Sequence, residues 1–522
     1  MKNFFLLVSM LTVPTLAIAV TETPTDVMFR TAMYGIKISQ NGEWLGSRAG
    51  DASAYNIFTK TYYDYWGSFY GLGNCMANNG MAVGYSQDRG VILYKGETIF
   101  PETLNTKEIW FCDIHAITPD ATRLAGILNN PAGGEMMHLP FISDISEDGT
   151  VGEPVILPHP TIDFFGMTPQ RATAVWMSND GKTVVGDLVD WRGMYTVPII
   201  YTESESGDWN YYLPSEQLFN PTNIELPENP WKYEPPAPEF VNFMSPLARA
   251  AYEQAYDDWA ANGYNGQAPD PSLYMTQDQI EAYNAAANEY NAWAKNPDVE
   301  EAIQNYIKIY FEVLETSPDF EQNDMTIHPD GSYIMHFGSF RIDDNNNKSY
   351  IYKFNTRDKE YQRYNLPPRY NPMPRLILSD GTLISSSGPV SFILEPESTE
   401  FISYVDYIAT EYPEVATWID LNFPGVTGII SMSDDKSITI GAGTVNELAD
   451  YTGDEDFYYW TYIFAPGTDI GGVEGIAAEP TDVVYKVYNL QGVKMLETKN
   501  TNEINTLAKG IYIVNGKKVM IR

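Results

Sequence analysis

The chain has 522 residues, of which 44% are hydrophobic and 14% aromatic, and this composition excludes a mostly disordered protein. Its formal net charge of −37 repels nucleic-acid phosphates and anionic lipids, so no nucleic-acid partner is expected. We interpret the acidic surface mainly as a source of solubility.

The first segment predicts export. Lys2 precedes an apolar run from Phe4 to Ile18, and Ala17-Ile18-Ala19 completes the pattern of a secretory signal peptide. We predict cleavage after Ala19, which makes residues 1–19 the signal peptide. The run of about 15 apolar residues is shorter than the roughly 20 of a membrane span. The protein is therefore predicted to be secreted or held at the cell surface, and not to be an integral membrane protein.

Two cysteines occur, Cys75 and Cys112. In an oxidising compartment they either pair or remain two buried thiols, and the sequence does not decide between these alternatives. A Cys-His nucleophile is not expected, because nothing in the sequence places an imidazole beside either thiol.

A ten-residue repeat recurs along the body of the chain, and its clearest copy runs from Met177 to Gly186. An apolar residue and Ser lead into an Asp-Gly turn, and an alternating run closes on Gly, which is typical of a β-hairpin. The copies begin at Ile38, Met76, Ile117, Met177, Ile327, Leu378 and Met432. Ala121 and Lys436 replace the turn Gly, and the copies at Ile327 and Leu378 lack the closing Gly.

The turn positions are 42, 80, 121, 181, 331, 381 and 436, and most spacings are typical of the four-stranded blades of a β-propeller. The repeats resemble the Ser-x-Asp-Gly hairpins of bacterial WD-like propeller proteins over residues 28–466. The predicted fold is therefore mainly β, a β-propeller of about seven blades. A copy missed inside a long interval would make the number eight.

The longest interval between turns, from 181 to 331, contains a predicted three-helix insertion at residues 240–317. Ser245-Pro246 is a cap and first-turn pair, Thr276 to Gln279 is a capping box, and Asn296-Pro297 opens the third helix. Tyr and Trp residues form stripes on these helices. We expect them to pack between helices rather than to form a sugar or cofactor platform.

The last residues differ in charge from the rest, since seven basic residues outnumber three acidic ones from Asp482 to Arg522. Asn515-Gly516 predicts a hairpin turn between two strands. The run VYNLQGVKM and the ending LAKGIYIVNGKKVMIR resemble the C-terminal sorting domain of proteins exported by the type IX (Por) secretion system of Gram-negative bacteria. The resemblance implies a small β-sandwich at residues 476–522 and an interaction with that secretion machinery.

The densest aromatic segment is the candidate binding site, formed by Tyr62, Tyr63, Asp64, Tyr65 and Trp66. Aromatic rings stack on the apolar faces of sugars, and a carboxylate accepts hydrogen bonds from sugar hydroxyls. Packing between blades explains the same residues. Both interpretations stay open at this point.

Other candidates for chemistry are weaker. Asp343 to Asn347 has oxygen ligands at alternate positions, but Lys348 and Phe354 stand where a calcium loop needs Gly and an acid, so a plain hairpin turn is expected. The five histidines, which have no tight metal-ligand spacing, are His115, His138, His159, His328 and His336. We therefore assign no catalytic residue, no metal and no cofactor.

The leading hypothesis is a secreted or cell-surface propeller that binds a glycan, peptide or protein without catalysis. One alternative is an extracellular propeller hydrolase or lyase that acts on polysaccharide, and another is a structural or adhesive surface protein. Propeller folds include both binding modules and enzymes, so the fold does not choose among these functions.

Overall fold

The computed structural model describes residues 27–31, 37–47, 52–65, 67–134, 136–343, 346–388, 390–422, 429–444, 459–466, 485–489, 494–498, 510–514 and 517–521. The predicted signal peptide at residues 1–19 lies outside these ranges, as does Trp66. The described chain is mainly β, with several sheets and few helices.

The strands after β1 (Val27–Thr31) fall into consecutive groups, which we call units 1 to 7. Unit 1 contains β2 (Lys37–Ile38), β3 (Trp44–Ser47), β4 (Ala52–Asn56) and β5 (Tyr62–Tyr65). Unit 2 contains β6 (Phe69–Tyr70), β7 (Ala82–Ser86), β8 (Arg89–Tyr94) and β9 (Glu97–Ile99). Unit 3 contains β10 (Cys112–Ile117), β11 (Arg123–Asn129), β12 (His138–Asp144) and β13 (Val155–Ile156).

The later units follow the same plan. Unit 4 contains β14 (Arg171–Ala172), β15 (Trp176–Met177), β16 (Thr183–Val189), β17 (Thr196–Glu203) and β18 (Trp209–Tyr212). Unit 5 contains β19 (Asp319–Ile327), β20 (Tyr333–Asp343), β21 (Asn346–Asn355) and β22 (Tyr361–Asn365). Unit 6 contains β23 (Met373–Ile377), β24 (Leu383–Ser387), β25 (Val390–Leu394) and β26 (Ile402–Ser403). Unit 7 contains β27 (Ile429–Met432), β28 (Thr439–Thr444) and β29 (Tyr459–Phe464).

Hydrogen bonding joins these strands in a regular order. Units 1, 2, 5 and 6 are four-stranded antiparallel sheets in chain order. Units 3 and 4 belong to one nine-stranded sheet, but a single parallel pair between His138 and Arg171 connects them. The first strand, β1, pairs with β29, so it becomes the outer strand of the sheet in unit 7.

The repeat turns are built by two side chains. In the clearest copy Ser178 Oγ donates to Asp180 Oδ1 at 2.7 Å. The backbone N–H groups of Lys182 and Thr183 then donate to Asp180 Oδ1 and Ser178 Oγ, each at 3.0 Å. Gly181 completes the turn with a φ of +67°, a value that suits a residue without Cβ.

Two copies hold the same turn without glycine. Ala121 has a φ of +58° and Lys436 a φ of +62°, so both stand in the left-handed region that glycine occupies in other copies. The hairpin interpretation of the repeat is confirmed for the copies at Met177 and Met432, where β15–β16 and β27–β28 are antiparallel pairs.

Hydrogen bonds link each repeat turn, or the first strand residue after it, to the turn of the next unit. The links run from Asn41 N to Asn78 Oδ1 (3.0 Å), Asn78 N to Pro119 O (2.9 Å), Arg123 Nη1 to Gly181 O (3.2 Å), Asn179 N to Pro329 O (2.7 Å), Tyr333 OH to Gly381 O (3.5 Å), Ser379 N to Asp434 Oδ1 (2.6 Å) and Asp434 N to Gln40 O (3.0 Å). The last link returns from unit 7 to unit 1.

Apolar side chains fill the spaces between neighbouring units. The largest buried cluster extends from unit 1 to unit 5, and smaller clusters join units 5 and 6, units 6 and 7, and units 7 and 1. A four-stranded sheet on its own would leave these faces in water, so contact between the units stabilises each of them.

Three helices follow unit 4: α1 (Pro246–Ala261), α2 (Gln277–Ala294) and α3 (Pro297–Thr316). They begin where the sequence predicts, with Ser245 and Asn296 as N-caps and the capping box at Thr276. Buried residues occur in α3 but not in α1 or α2. Two more helices, α4 (Tyr404–Ala409) and α5 (Pro413–Asn422), lie between units 6 and 7.

The C-terminal residues form a separate sheet in the order β31-β30-β32-β33. Its strands are β30 (Tyr485–Asn489), β31 (Lys494–Thr498), β32 (Gly510–Val514) and β33 (Lys517–Ile521). The predicted pair of strands around 515–516 is present, although the turn residues themselves lie outside the described ranges. Within those ranges, no helix is both long and apolar enough to cross a membrane.

Candidate functional site

The repeat turns surround a cavity of about 70 Å³. Its wall contains the first residue of every repeat copy, namely Ile38, Met76, Ile117, Met177, Ile327, Leu378 and Met432. Trp176 and Leu376 add further apolar surface. The apolar position that opens the repeat therefore leads into a hairpin and also lines a cavity. This second role is not visible in the sequence, although the position is apolar in all copies.

The volume decides which ligand groups fit. One water molecule needs roughly 15 Å³ of such space, so the cavity holds only a few. Sites for small molecules usually measure about 300–1,000 Å³. One small apolar side chain of a larger ligand therefore suits this cavity.

Amide side chains border the apolar wall. Gln40 and Asn179 each follow the Ser of a repeat copy, and neither side-chain amide has a hydrogen-bond partner within the described part of the chain. Asp434 occupies the same place in unit 7, but its Oδ1 accepts a hydrogen bond from Ser379 N at 2.6 Å. The two amides supply donors and acceptors beside an apolar surface, and a peptide group needs both.

Residues 71–74, which follow β6 in unit 2, contact three other units. Lys37 Nζ of unit 1 donates to Leu72 O at 2.8 Å, and Gly73 N donates to His115 O of unit 3 at 3.0 Å. A Cβ at Gly73 would lie 1.7 Å from a backbone carbonyl oxygen of unit 4, so only glycine permits this approach. The segment therefore contacts units 1, 3 and 4.

The predicted aromatic site lies elsewhere, on β5, the outer strand of unit 1. The strand alternates, so Tyr62 and Asp64 are exposed, Tyr63 stacks on an aromatic ring of β3 at 6.0 Å, and Tyr65 is buried. Burial raises the pKa of Tyr65 to about 12. None of these four residues lines the cavity. Glycan binding by this segment, which includes the undescribed Trp66, stays a prediction.

Two of the five histidines have hydrogen-bond partners on both ring nitrogens in the interior. His115 Nε2 lies 3.1 Å from Asp113 Oδ2, and its Nδ1 lies 3.0 Å from a backbone carbonyl oxygen. His336 Nε2 lies 3.2 Å from Asp187 Oδ1, and its Nδ1 lies 2.8 Å from another backbone carbonyl oxygen. These contacts occupy both rings, which supports their interpretation as structural histidines.

The remaining candidates have structural explanations too. Cys75 and Cys112 are free and buried, and burial raises the pKa of both thiols, which disfavours the reactive thiolate. The predicted turn near Asp343 to Asn347 lies between the paired strands β20 and β21, although residues 344–345 are outside the described ranges. No group of His, Cys, Asp or Glu in the described chain is arranged to hold a metal ion.

Comparison with known proteins identifies no family. No protein-family model matches the sequence, and no curated protein matches it. Solved structures with distant likeness include hydrazine synthase of Kuenenia stuttgartiensis (TM-score 0.38, 11% identity, 81% of this chain and 95% of that chain) and putative TolB of Agrobacterium tumefaciens (0.32, 10%, 68% and 87%). The tricorn protease gives a TM-score of 0.33 at 10% identity, covering 77% of this chain and 38% of its own. Likeness at this level says nothing about function.

Proposed function

We propose that units 1 to 7 form a closed seven-bladed β-propeller over residues 28–466, with the helices at 240–317 as an insertion and residues 476–522 as a sorting-type domain. The links between repeat turns support this arrangement, because they return from unit 7 to unit 1. The pairing of β1 with β29 supports it as well, since a propeller is commonly held closed by a sheet built from both chain ends.

On this fold we propose a secreted or cell-surface binding protein whose ligand is an extended peptide or a segment of a protein. The observation that supports this function best is the apolar cavity bordered by free amides. A small apolar side chain of the ligand enters the cavity, while the amides of Gln40 and Asn179 bind the flanking peptide groups.

Delivery outside the cell belongs to the proposal. The signal-peptide pattern at residues 1–19 and the tail resemblance support it, and the self-contained sheet of β30 to β33 is compatible with a separate sorting domain. The test deletes Val483 to Arg522 in a host with a type IX system. If delivery to the surface or the medium is unchanged, this part of the proposal is wrong.

Selection from a displayed library of random peptides tests the binding function. We expect the purified mature protein to retain peptides that share one small apolar side chain. In the double variant Gln40→Ala with Asn179→Ala, affinity for a selected peptide should fall about tenfold, because each lost hydrogen bond contributes about 0.5–1.5 kcal/mol. Asn210→Ala on the outer strand β18 is the matched control, and it should leave the affinity unchanged.

Other outcomes distinguish the remaining functions. If the double variant binds the peptide as well as the wild type does, the cavity is not the site. Turnover in a polysaccharide panel, in place of peptide retention, would establish the hydrolase or lyase. Neither retention nor turnover would favour a structural or adhesive role.

A further inference from the structure

The first strands of units 3, 5 and 6 share a deviation from regular pairing. Register shifts interrupt β10 between Ile114 and Ala116, and β23 between Pro374 and Leu376. Another shift lies in β19 between Phe320 and Met325. Such β-bulges redirect side chains, and they are common beside functional sites.

The closing Gly lies opposite the bulge of β10 in unit 3 and opposite the residues between β14 and β15 in unit 4. A Cβ at Gly126 would stand 2.1 Å from Asp113 O, and a Cβ at Gly186 would stand 2.0 Å from Thr173 O. In both cases the backbone of the neighbouring segment occupies the place of a side chain. Only glycine permits this approach.

Units 5 and 6 lack the closing Gly, and the side chains in its place make specific contacts. His336 takes the position in unit 5 and pairs with the buried Asp187. Ser386 takes it in unit 6, where its Oγ accepts a hydrogen bond from Arg375 Nε at 2.9 Å. The pair in unit 6 differs from the one in unit 5 because it is open to solvent.

Two contacts hold the guanidinium of Arg375 in place. Besides the bond to Ser386, Arg375 Nη1 lies 3.2 Å from Asp324 Oδ1. The side chain of Arg375 remains 42% exposed, and within the described residues the one hydrogen-bond contact of its Nη2 is with the sulfur of Met373, at 3.7 Å. An oriented guanidinium with an open edge is suited to a carboxylate, which accepts two parallel N–H bonds.

Arg375 lies beside a residue of the cavity wall. Arg375 stands at the bulge of β23, Asp324 stands at the bulge of β19, and these two strands contact each other. The next residue along β23, Leu376, lines the cavity, but Arg375 does not. The guanidinium is thus next to the proposed peptide site and outside it.

We propose that Arg375, oriented by Asp324 and Ser386, binds a carboxylate of an acidic ligand. The chain has 32 basic and 69 acidic residues, so its net charge repels anions. A specific local contact is therefore needed to bind one. This inference goes beyond the proposed function because it adds a second binding contact of defined chemistry. A carboxylate on a polysaccharide and one on a peptide satisfy it equally.

Calorimetric titration with two acidic probes tests the inference and separates these sources. The probes are hexagalacturonate and hexaglutamate, each compared with a neutral hexamer of the same class. We expect at least one acidic probe to bind in preference to its neutral counterpart. Its Kd should rise about tenfold or more in Arg375→Gln, since a hydrogen bond to a charged group is lost.

Two further variants control for charge and folding. Arg375→Lys keeps the positive charge but loses the two parallel N–H groups of the guanidinium. We therefore expect it to weaken binding less than Arg375→Gln does. Arg363→Gln removes an exposed arginine from the outer strand β22, and it should change the Kd less than twofold. Thermal melting of each variant confirms that it is folded. The inference is wrong if neither acidic probe binds, or if folded Arg375→Gln binds as well as the wild type.

Discussion

At the scale of single residues, the repeat turns show how a backbone φ angle affects the free energy of unfolding. Ala121 has a φ of +58° where other copies have glycine, and a non-glycine residue there costs about 1–2 kcal/mol. Ala121→Gly relieves this cost but adds freedom to the unfolded chain. We expect a net gain of about 0.5 kcal/mol in the free energy of unfolding, measured by urea denaturation.

A matched change in the same unit is the control. Ala125 is buried in β11 with ordinary strand geometry, so Ala125→Gly should lower the free energy of unfolding by about 1 kcal/mol. Equal losses in the two variants would contradict the interpretation of Ala121 as a strained residue.

The turn carboxylates predict a response to acid. Burial alone would raise the pKa of Asp330, but hydrogen bonds from Ser332 and His328 outweigh it and lower the pKa to about 2. Because the folded pKa lies below the unfolded value of about 3.9, this carboxylate stabilises the fold above pH 4. The contribution is lost as the pH falls through 2.

Asp330→Asn removes this titration while keeping the turn geometry, since Asn41 accepts the equivalent bond from Ser39 in unit 1. We expect the stability gap between wild type and variant to shrink as the pH is lowered from 5 to 2, measured by urea midpoints. Asp257→Asn on the exposed side of α1 serves as the control. A gap that stays constant over this range would rule out the assigned role.

At the scale of elements, α3 is the helix that ties the insertion to the strands. Tyr310 OH donates to Asp190 Oδ2 at 2.5 Å, and both residues are buried. Burial and the negative charge of Asp190 raise the pKa of Tyr310, so its hydroxyl stays protonated as a donor. Helices α1 and α2 have no such anchor among their own residues, since neither contains a buried side chain.

Tyr310→Phe should therefore lower the free energy of unfolding by about 2 kcal/mol, because it removes a buried hydrogen bond to a charged group. Chemical denaturation measures the loss, and limited proteolysis of the insertion should become faster. Tyr290→Phe on α2 is the control. It removes a hydroxyl that donates to Glu234 at 3.2 Å, and it should lower the free energy of unfolding by less than half as much. Similar losses in both variants would show that α3 is no anchor.

At the scale of the whole molecule, β1 closes the sheet of unit 7. Five residue pairs connect Val27–Thr31 with β29, so removal of residues 27–31 should cost roughly 3–5 kcal/mol in lost backbone bonds. It also exposes an unpaired edge, which promotes association between chains. Thermal melting and light scattering measure these effects. Trimming only residues 20–25 should change neither property, and an unaffected midpoint after deletion of β1 would contradict its closing role.

Local patterns allowed the sequence to predict much of this fold. The capping box at Thr276 and the Ser-Asp turn at Ser178 depend on atoms within a few residues of each other, so spacing reveals them. The cavity and the setting of Arg375 depend on contacts across units, such as the bond to Asp324, 51 residues away in the chain. A single sequence does not contain such distances. At Met177 the sequence shows an apolar side chain, but it does not show that this side chain lines the cavity.

The pairing of β1 with β29 also sets the order of events during synthesis. Val27 leaves the ribosome well before its partner Phe464, and at about 5–20 residues per second the interval is roughly 20–90 seconds. During that time the backbone N–H and C=O groups of β1 lack their partners in β29, and the sheet of unit 7 is incomplete. The sheet of unit 7 is therefore completed only after translation has passed residue 464.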